Sequence, residues 1–130
     1  MSQTVERLKA LAEPTRLRMV RLLLEKQELC SCELADSLVE PQVDISRHAK
    51  ILKAAGLLTE RKEGRWVYYR LPAEAKRLAQ AIKPFLADKD LMRVFAGDDQ
   101  RLATRLKLRE DGKCLIGVRN PQLVRITRGT

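Results

Sequence analysis

The sequence is poor in the groups that enzymes use. Its 130 residues include a single histidine, three cysteines and only five aromatic side chains. One histidine leaves little acid–base capacity near neutral pH. No paired carboxylates stand in a recognisable motif, no Gly-rich loop has the spacing of a phosphate cradle, and no nucleophile accompanies a base, so the chain does not read as an enzyme. No apolar run approaches the ~20 residues of a membrane span. Met1 to Arg7 lack the apolar core of a signal peptide, which points to a cytoplasmic protein. An odd cysteine count in a reducing compartment argues against a disulfide framework and leaves free thiols or ligands. Internal repeats and low-complexity tracts are also missing.

What the sequence has is positive charge. Lys and Arg number 26 against 17 Asp and Glu, a net charge of +9, which favours a polyanionic partner, nucleic acid or an anionic membrane surface. A hydrophobic fraction of 45% supports one modest core. The patterning divides the chain into a compact unit over 1–87 and an extension over 88–130.

Within the first unit, Leu8 and Leu11 share a face of a helix predicted over 3–12. Pro14 suits the first position of a second helix, and Leu17, Val20 and Leu24 repeat at helical spacing. A short helix is expected over 32–38 with Leu34 and Leu38 inward. After Pro41 another helix runs over 42–55 on Ile45, Ala49 and Leu52, and Gly56 stops it. The period then changes to two. Leu58 to Arg61 and Trp66 to Leu71 flank a charged turn holding Gly64, which predicts a β-hairpin. Trp66, Tyr68 and Tyr69 are expected to pack it. A last helix carries Leu78, Ile82, Phe85 and Leu86 as one apolar stripe, with Pro84 kinking its end.

A short helix leading into a basic one, with a hairpin after them, predicts a mainly α fold with a β-hairpin wing: a winged helix-turn-helix. The face of the 42–55 helix opposite its apolar stripe carries Ser46, Lys50 and Lys53, with Gln42 and Arg47 beside them. A helix of ~10–12 Å diameter fits a major groove about 12 Å wide. Gln and Arg can read base edges, and Ser and Lys can hold phosphates. Lys62 and Arg65 at the wing tip can reach the flanking backbone. His48 either contacts phosphate or caps packing inside the helix-turn-helix.

Several segments carry a family resemblance. Glu28-Leu29-Cys30-Ser31-Cys32-Glu33-Leu34-Ala35 resembles the thiol box of the arsenic-responsive ArsR/SmtB repressors. Ile45-Ser46-Arg47-His48 with Ile51 to Leu58 is similar to their recognition helix, Arg61 to Leu71 to their wing, and Ala12 to Arg18 to their early helix junction. The resemblance covers about 5–87. It implies a homodimeric repressor that leaves its operator when a metal or metalloid binds. It also implies dimerisation through the first helix (Leu8, Leu11) and the helix after the wing (Leu78, Ile82, Phe85, Leu86).

A Cys-X-Cys pair in a reducing compartment points to metal binding or redox chemistry. Residues two apart on an α-helix point about 200° apart. Cys30 therefore either precedes the helix, or ligand binding unwinds that turn. Soft thiolates select thiophilic ions: As(III) or Sb(III) takes three sulfurs, while closed zinc sites take four N or S ligands. The helix after the wing lacks the histidine of the family's zinc site there, and four-thiolate cadmium or lead would need ligands from two subunits. Some arsenite sensors carry a third cysteine where this chain has Ala35. Cys114, from the same or the partner subunit, is the remaining candidate; a solitary tail thiol is the alternative, and an exogenous thiol could also complete the set.

In the extension, Leu91, Val94 and Phe95 suggest a short helix. Gly97-Asp98-Asp99 is expected to break it, with Asp98 or Asp99 capping a second helix on Leu102 and Leu106. Cys114–Val118 and Leu123–Ile126 read as extended packed segments, and the final residues as mobile. Two alternatives stand beside the arsenite-responsive repressor. One is a redox-sensing or Cd/Pb-responsive repressor of the same fold. The other is a nucleic-acid-binding interaction module with inert cysteines.

Overall fold

The structure, a computed structural model, describes residues 2–128, with side chains to Val124. Helix α1 (Gln3–Leu11) starts where the Ser2 hydroxyl accepts the Val5 N–H at 3.3 Å. Helix α2 (Pro14–Glu25) has proline at its first position, and the Glu13 carboxylate accepts the Arg16 N–H at 2.9 Å. These are the side-chain acceptors that orphan N–H groups of a first turn need. Strand β1 (Leu29–Cys30) runs straight into α3 (Ser31–Leu38), and Val39, in the left-handed region at φ 54°, turns the chain toward α4 (Gln42–Ala54). Strands β2 (Thr59–Glu63) and β3 (Trp66–Arg70) form the wing around Gly64, whose φ of 61° is a glycine conformation.

The sheet order is β1-β3-β2, all antiparallel. Strand β1 pairs Leu29 with Tyr69 and Cys30 with Tyr68. Tyr68 and Tyr69 are neighbours on one strand and face opposite ways. Tyr69 joins the main core, while Tyr68 packs with the cysteines. That core takes Met19, Leu22 and Leu23 from α2, Leu34 and Leu38 from α3, and Ile45, Ala49 and Leu52 from α4. It is the winged helix-turn-helix that the periodicity predicts, with β1 as a third strand that two residues could not announce.

After the wing, α5 (Ala73–Ile82) tightens into a 3-10 turn over Lys83–Leu86, the expected effect of Pro84. The extension departs from expectation. Helix α6 (Lys89–Leu106) passes unbroken through Gly97-Asp98-Asp99. Asp98 caps nothing; it is 0% exposed and accepts bonds from Arg18 at 2.8 and 3.0 Å and from Arg101 at 2.9 Å. A carboxylate fixed by two guanidiniums no longer competes for backbone, so the apparent breaker stays helical. Leu123–Ile126 also departs: it lies in a helix, α7 (Pro121–Arg128), rather than an extended segment. Leu102 and Leu123 enter the same core as the winged unit. The end of the chain beyond Arg128 lies outside the described residues. No helix among the described residues is long and apolar enough to cross a membrane.

Candidate metal centre behind the recognition helix

Cys30 is the last residue of β1 and the N-cap of α3, with extended φ and ψ of −84° and 162°. Of the two alternatives left by the spacing, the structure has the first: Cys30 lies before the helix, and Cys32 is two residues on, in its first turn. The two sulfurs can then face one space without unwinding anything. Glu33 secures the junction by accepting the Cys30 N–H at 2.9 Å.

Cys114 reaches that space from the extension. After α6 the chain reverses at Asp111-Gly112, both with positive φ (52° and 73°), closed by Glu110–Lys113 bonds of 2.9 and 3.0 Å. This is the geometry of a two-residue mirror-image hairpin turn, for which Asp-Gly is a preferred pair. The next residue is Cys114. Its N–H donates to the Tyr68 hydroxyl at 2.9 Å, and its sulfur lies 2.7 Å from that of Cys30. All three cysteines are free and buried, at 0%, 3% and 2% exposure in chain order.

The cluster concentrates its negative charge on one sulfur. Cys32 is pulled down to about 3 by hydrogen bonds from the Cys114 and Cys30 thiols, assisted by the Arg105 charge and Gln42 and opposed by burial. Cys30 is pushed far up, because its thiol proton is shared with Cys114 and Cys32 and because it is buried beside Glu33. At Cys114 the bond from Cys30 pulls down, but the bond to Cys32 and burial push further, so it too is raised. The direct sulfur–sulfur hydrogen bond is that of Cys30 and Cys114 at 2.7 Å, and the negative charge gathers on Cys32 beside them.

Arginines from the extension hold the cluster together. Arg109 closes on Glu33 at 2.6 and 2.7 Å and on the Glu28 carbonyl at 2.8 Å. Arg105, 5% exposed, pairs with Asp36 at 3.2 Å and donates to Cys114 Sγ at 3.4 Å. Asp36 in turn accepts the Arg119 and Asn120 N–H groups at 2.8 Å each. None of these partners carries a motif in the sequence. Asp111-Gly112 is the local signal that could have placed Cys114 on a tight turn.

The residues expected at DNA divide into two groups. Arg47, Lys50, Lys53, Lys62 and Arg65 are exposed. Arg47 pairs with Asp44 at 3.0 Å, Lys53 with Glu60 at 3.1 Å, and the Arg65 guanidinium lies 4.7 Å from the Trp66 ring centre. Ser46 and His48 are half-buried, and Gln42, though exposed, turns its amide back onto α3. Ser46 reaches the Tyr69 hydroxyl. His48 Nδ1 stands 3.2 Å from Arg16 and 3.6 Å from Glu13. The Gln42 amide donates to Ser31 Oγ at 2.8 Å and to Cys32 Sγ at 3.3 Å.

The expected dimer residues also divide. Leu8 and Phe85 are 45% and 82% exposed, whereas Leu11, at 4%, belongs to the protomer's own core. Leu78 and Ile82 are half-buried against that core, and Ile82 and Leu86 line a shallow cleft with Leu17, Val20 and Leu24.

The sequence of residues 13–60 matches the model of the bacterial regulatory protein family named arsR. The arsenical resistance operon repressor of Escherichia coli K12 is 49% identical over 67 residues, 52% of this chain and 57% of that protein. The chain thus spans little more than half the length of that relative. A cadmium resistance regulatory protein CadC homolog of Staphylococcus aureus is 36% identical over 84 residues, 64% of this chain and 68% of its own. Among solved structures, the homodimeric winged helix-turn-helix DNA-binding domain of a possible ArsR-family regulator from Mycobacterium bovis superposes with a TM-score of 0.60. It is 29% identical and covers 70% of this chain and 83% of its own. On sequence and fold together, the chain belongs to the arsR family of bacterial regulatory proteins.

Proposed function

We propose that this chain is a cytoplasmic transcriptional repressor that occupies double-stranded operator DNA as a homodimer and releases it when trivalent arsenic or antimony is held by Cys30, Cys32 and Cys114. The observation carrying this reading is the convergence of three buried sulfurs of one protomer at the start of α3, the helix packed against α4.

The donor set fits a three-coordinate thiophilic ion. Cys114 supplies the sulfur that Ala35 does not. Among the described residues the ligand atoms that lie within 4.8 Å of one another are those of Cys30, Cys114 and Glu33, with Cys32 Sγ outside that group. Both Glu33 oxygens are already taken, by Arg109 and by the Cys30 N–H. A closed zinc site wants four N or S ligands, and His48 is engaged with Arg16 and Glu13. When bound, the ion would supply a three-way crosslink between the start of α3 and the extension. The chain's own part is to hold Cys32 deprotonated, to keep Cys30 outside the helix, and to present Cys114 on the Asp111-Gly112 turn.

Operator binding is supported by Arg47 and Lys50 on the outer face of α4, by Lys62 and Arg65 on the wing, and by the net charge of +9. Dimerisation is supported by exposed Leu8 on α1 and exposed Phe85 in the 3-10 turn that follows α5, α1 and α5 touching through Arg7 and Glu74 at 4.0 Å. A fluorescence-anisotropy titration of operator-bound protein with As(III), Sb(III), Cd(II), Pb(II) and Zn(II) tests the reading. Release by As(III) or Sb(III) is expected. Release by zinc alone, or no operator binding, overturns it.

One observation favours a second reading, a redox sensor. Cys30 and Cys114 sulfurs only 2.7 Å apart could be oxidised by hydrogen peroxide: each thiol loses a hydrogen, an S–S bond forms, and the O–O bond breaks to give two waters. Mass spectrometry after peroxide would show a loss of about 2 Da and a crosslinked Cys30–Cys114 peptide. Operator release by peroxide but not by arsenite would favour it.

A further inference from the structure

The first turn of α4 has no side-chain cap of its own. Its N-cap is Pro41, which has no side-chain hydrogen-bonding group, and the carbonyl of Pro41 serves the Asp44 and Ile45 N–H groups at 2.9 and 3.1 Å. Val43, 74% exposed, adds no packing. The buried anchors Ile45, Ala49 and Leu52 sit further along the helix. The first residue of α4, Gln42, is tied to α3 by its side-chain amide. The Gln42 amide nitrogen donates to Ser31 Oγ at 2.8 Å and to Cys32 Sγ at 3.3 Å. Its side chain therefore spans from the turn that would enter the groove to a sulfur of the thiol site.

We infer that Gln42 is the positioning residue that transmits occupation of the thiol site to the recognition helix: its amide holds the start of α4 in the operator-binding position through Cys32 Sγ, and loses that acceptor when the sulfur is taken by the inducer. This rests on the arsenite-responsive reading above. The bond at 3.3 Å is accepted by a sulfur lone pair of Cys32. Sulfur lone pairs engaged by a Lewis acid accept poorly, so the contact differs between the two states. A differential contact is what coupling between two sites requires. The N-terminal residues of a recognition helix are those that meet base edges, so a small shift there acts where it counts. The pattern of α4 predicts Gln42 at DNA; in the DNA-free protein its amide bonds Ser31 and Cys32.

Two variants separate transmission from packing. Gln42→Met removes both bonds at similar volume. Gln42→Glu can still bond the Ser31 hydroxyl but has no N–H for sulfur. For each, arsenite binding to the DNA-free protein, operator affinity without arsenite, and the ratio of operator affinities without and with arsenite are measured, with circular dichroism as a check on folding. In the wild-type protein, hydrogen exchange of the 43–45 amides is followed with and without arsenite. Arsenite binding is expected to stay within about threefold in both variants, while the wild-type ratio, of the 5–150-fold order usual for coupled sites, falls to about threefold or less. Exchange at 43–45 is expected to quicken in wild type on arsenite addition. A wild-type ratio in either variant, or unchanged exchange, overturns the role of Gln42. So does a loss of arsenite-free operator binding confined to particular base pairs, which would make Gln42 a base reader. Failure of arsenite to release wild-type protein instead sinks the repressor reading itself.

Discussion

Arg109 and Glu33 form a two-pronged ion pair, at 2.6 and 2.7 Å, directly beside Cys30. Glu33 is 1% exposed and Arg109 24%, so the pair is largely removed from water. It joins the extension to α3 at the residue that follows Cys32. Taking away one partner of such a pair strands a buried charge. Arg109→Ala should therefore destabilise the fold by about 3–5 kcal/mol, the usual cost of breaking a buried pair from one side. Urea unfolding followed by Trp66 fluorescence measures it, and a loss under about 1 kcal/mol, the worth of a surface pair, would show the extension to be loosely docked.

The three cysteines should behave as one unit. Cys30→Ser and Cys114→Ser each leave the outer face of α4, the wing and the Gln42–Cys32 bond untouched, so arsenite-free operator binding should stay within about threefold, under ~0.7 kcal/mol, whereas Cys32→Ser exchanges the sulfur that accepts from Gln42 for a shorter hydroxyl and should weaken that binding. Each should shift the arsenite concentration needed for release upward by about tenfold or more, because a soft trivalent ion loses one of three sulfurs. Anisotropy titrations compare them. Unchanged sensitivity in Cys114→Ser would reduce the site to Cys30, Cys32 and an exogenous thiol.

The thiols also make stability depend on pH. Cys32 is held down at about 3 against an ordinary value of 9.0. Between those values the unfolded chain binds a proton that the folded chain does not, so this group's stabilisation is complete above about pH 9 and fades as pH falls toward 3. Cys30 and Cys114 are raised, so above their ordinary value the folded chain keeps protons the unfolded chain releases, and their contribution falls as pH rises. The stability difference between wild type and Cys32→Ser should thus widen from pH 5 to 8. Thiolate absorbance near 240 nm should persist in wild type at pH 6 and vanish in the variant. A pH-independent difference would place the charge elsewhere.

The winged unit was legible because its signals are local. Leu17, Val20 and Leu24, or Ile45, Ala49 and Leu52, declare a helix from spacing alone. The alternation around Gly64 declares the hairpin. What was not legible depends on distant partners. Gly97-Asp98-Asp99 reads as a breaker because the sequence cannot show that Arg18, eighty residues earlier, fixes Asp98. The spacing of Cys30 and Cys32 leaves two geometries open. The choice comes from pairing of Cys30 with Tyr68, a strand of two residues with no periodicity to detect. The thiol box points to two sulfurs, and Cys114 comes beside them where Arg105 and Arg109 dock the extension on α3. Gln42 sits on the polar face of a basic helix, so its pattern suggests bases; that its amide turns back to Cys32 is a fact of tertiary packing.

The exposed cations of α4 and the wing should separate by role. Lys62 lies at the wing tip, where a flexible ammonium can hold phosphate without reading sequence. Lys62→Ala should weaken binding to all DNA sequences alike and lower the salt slope by about one. Arg47 carries a planar fork on the outer face of α4, held by Asp44 at 3.0 Å in the DNA-free protein. That pair is exposed and weak, since Arg47 is 67% exposed, so the guanidinium is free to exchange it for a base edge. Arg47→Ala should cost about 1–3 kcal/mol on the operator, relax discrimination at one base pair per half-site, and leave non-specific binding nearly unchanged. Anisotropy over a salt series, on operator and scrambled duplexes, distinguishes the two. Equal losses on both duplexes for Arg47→Ala would make it a phosphate contact and move base reading to Lys50 and its neighbours.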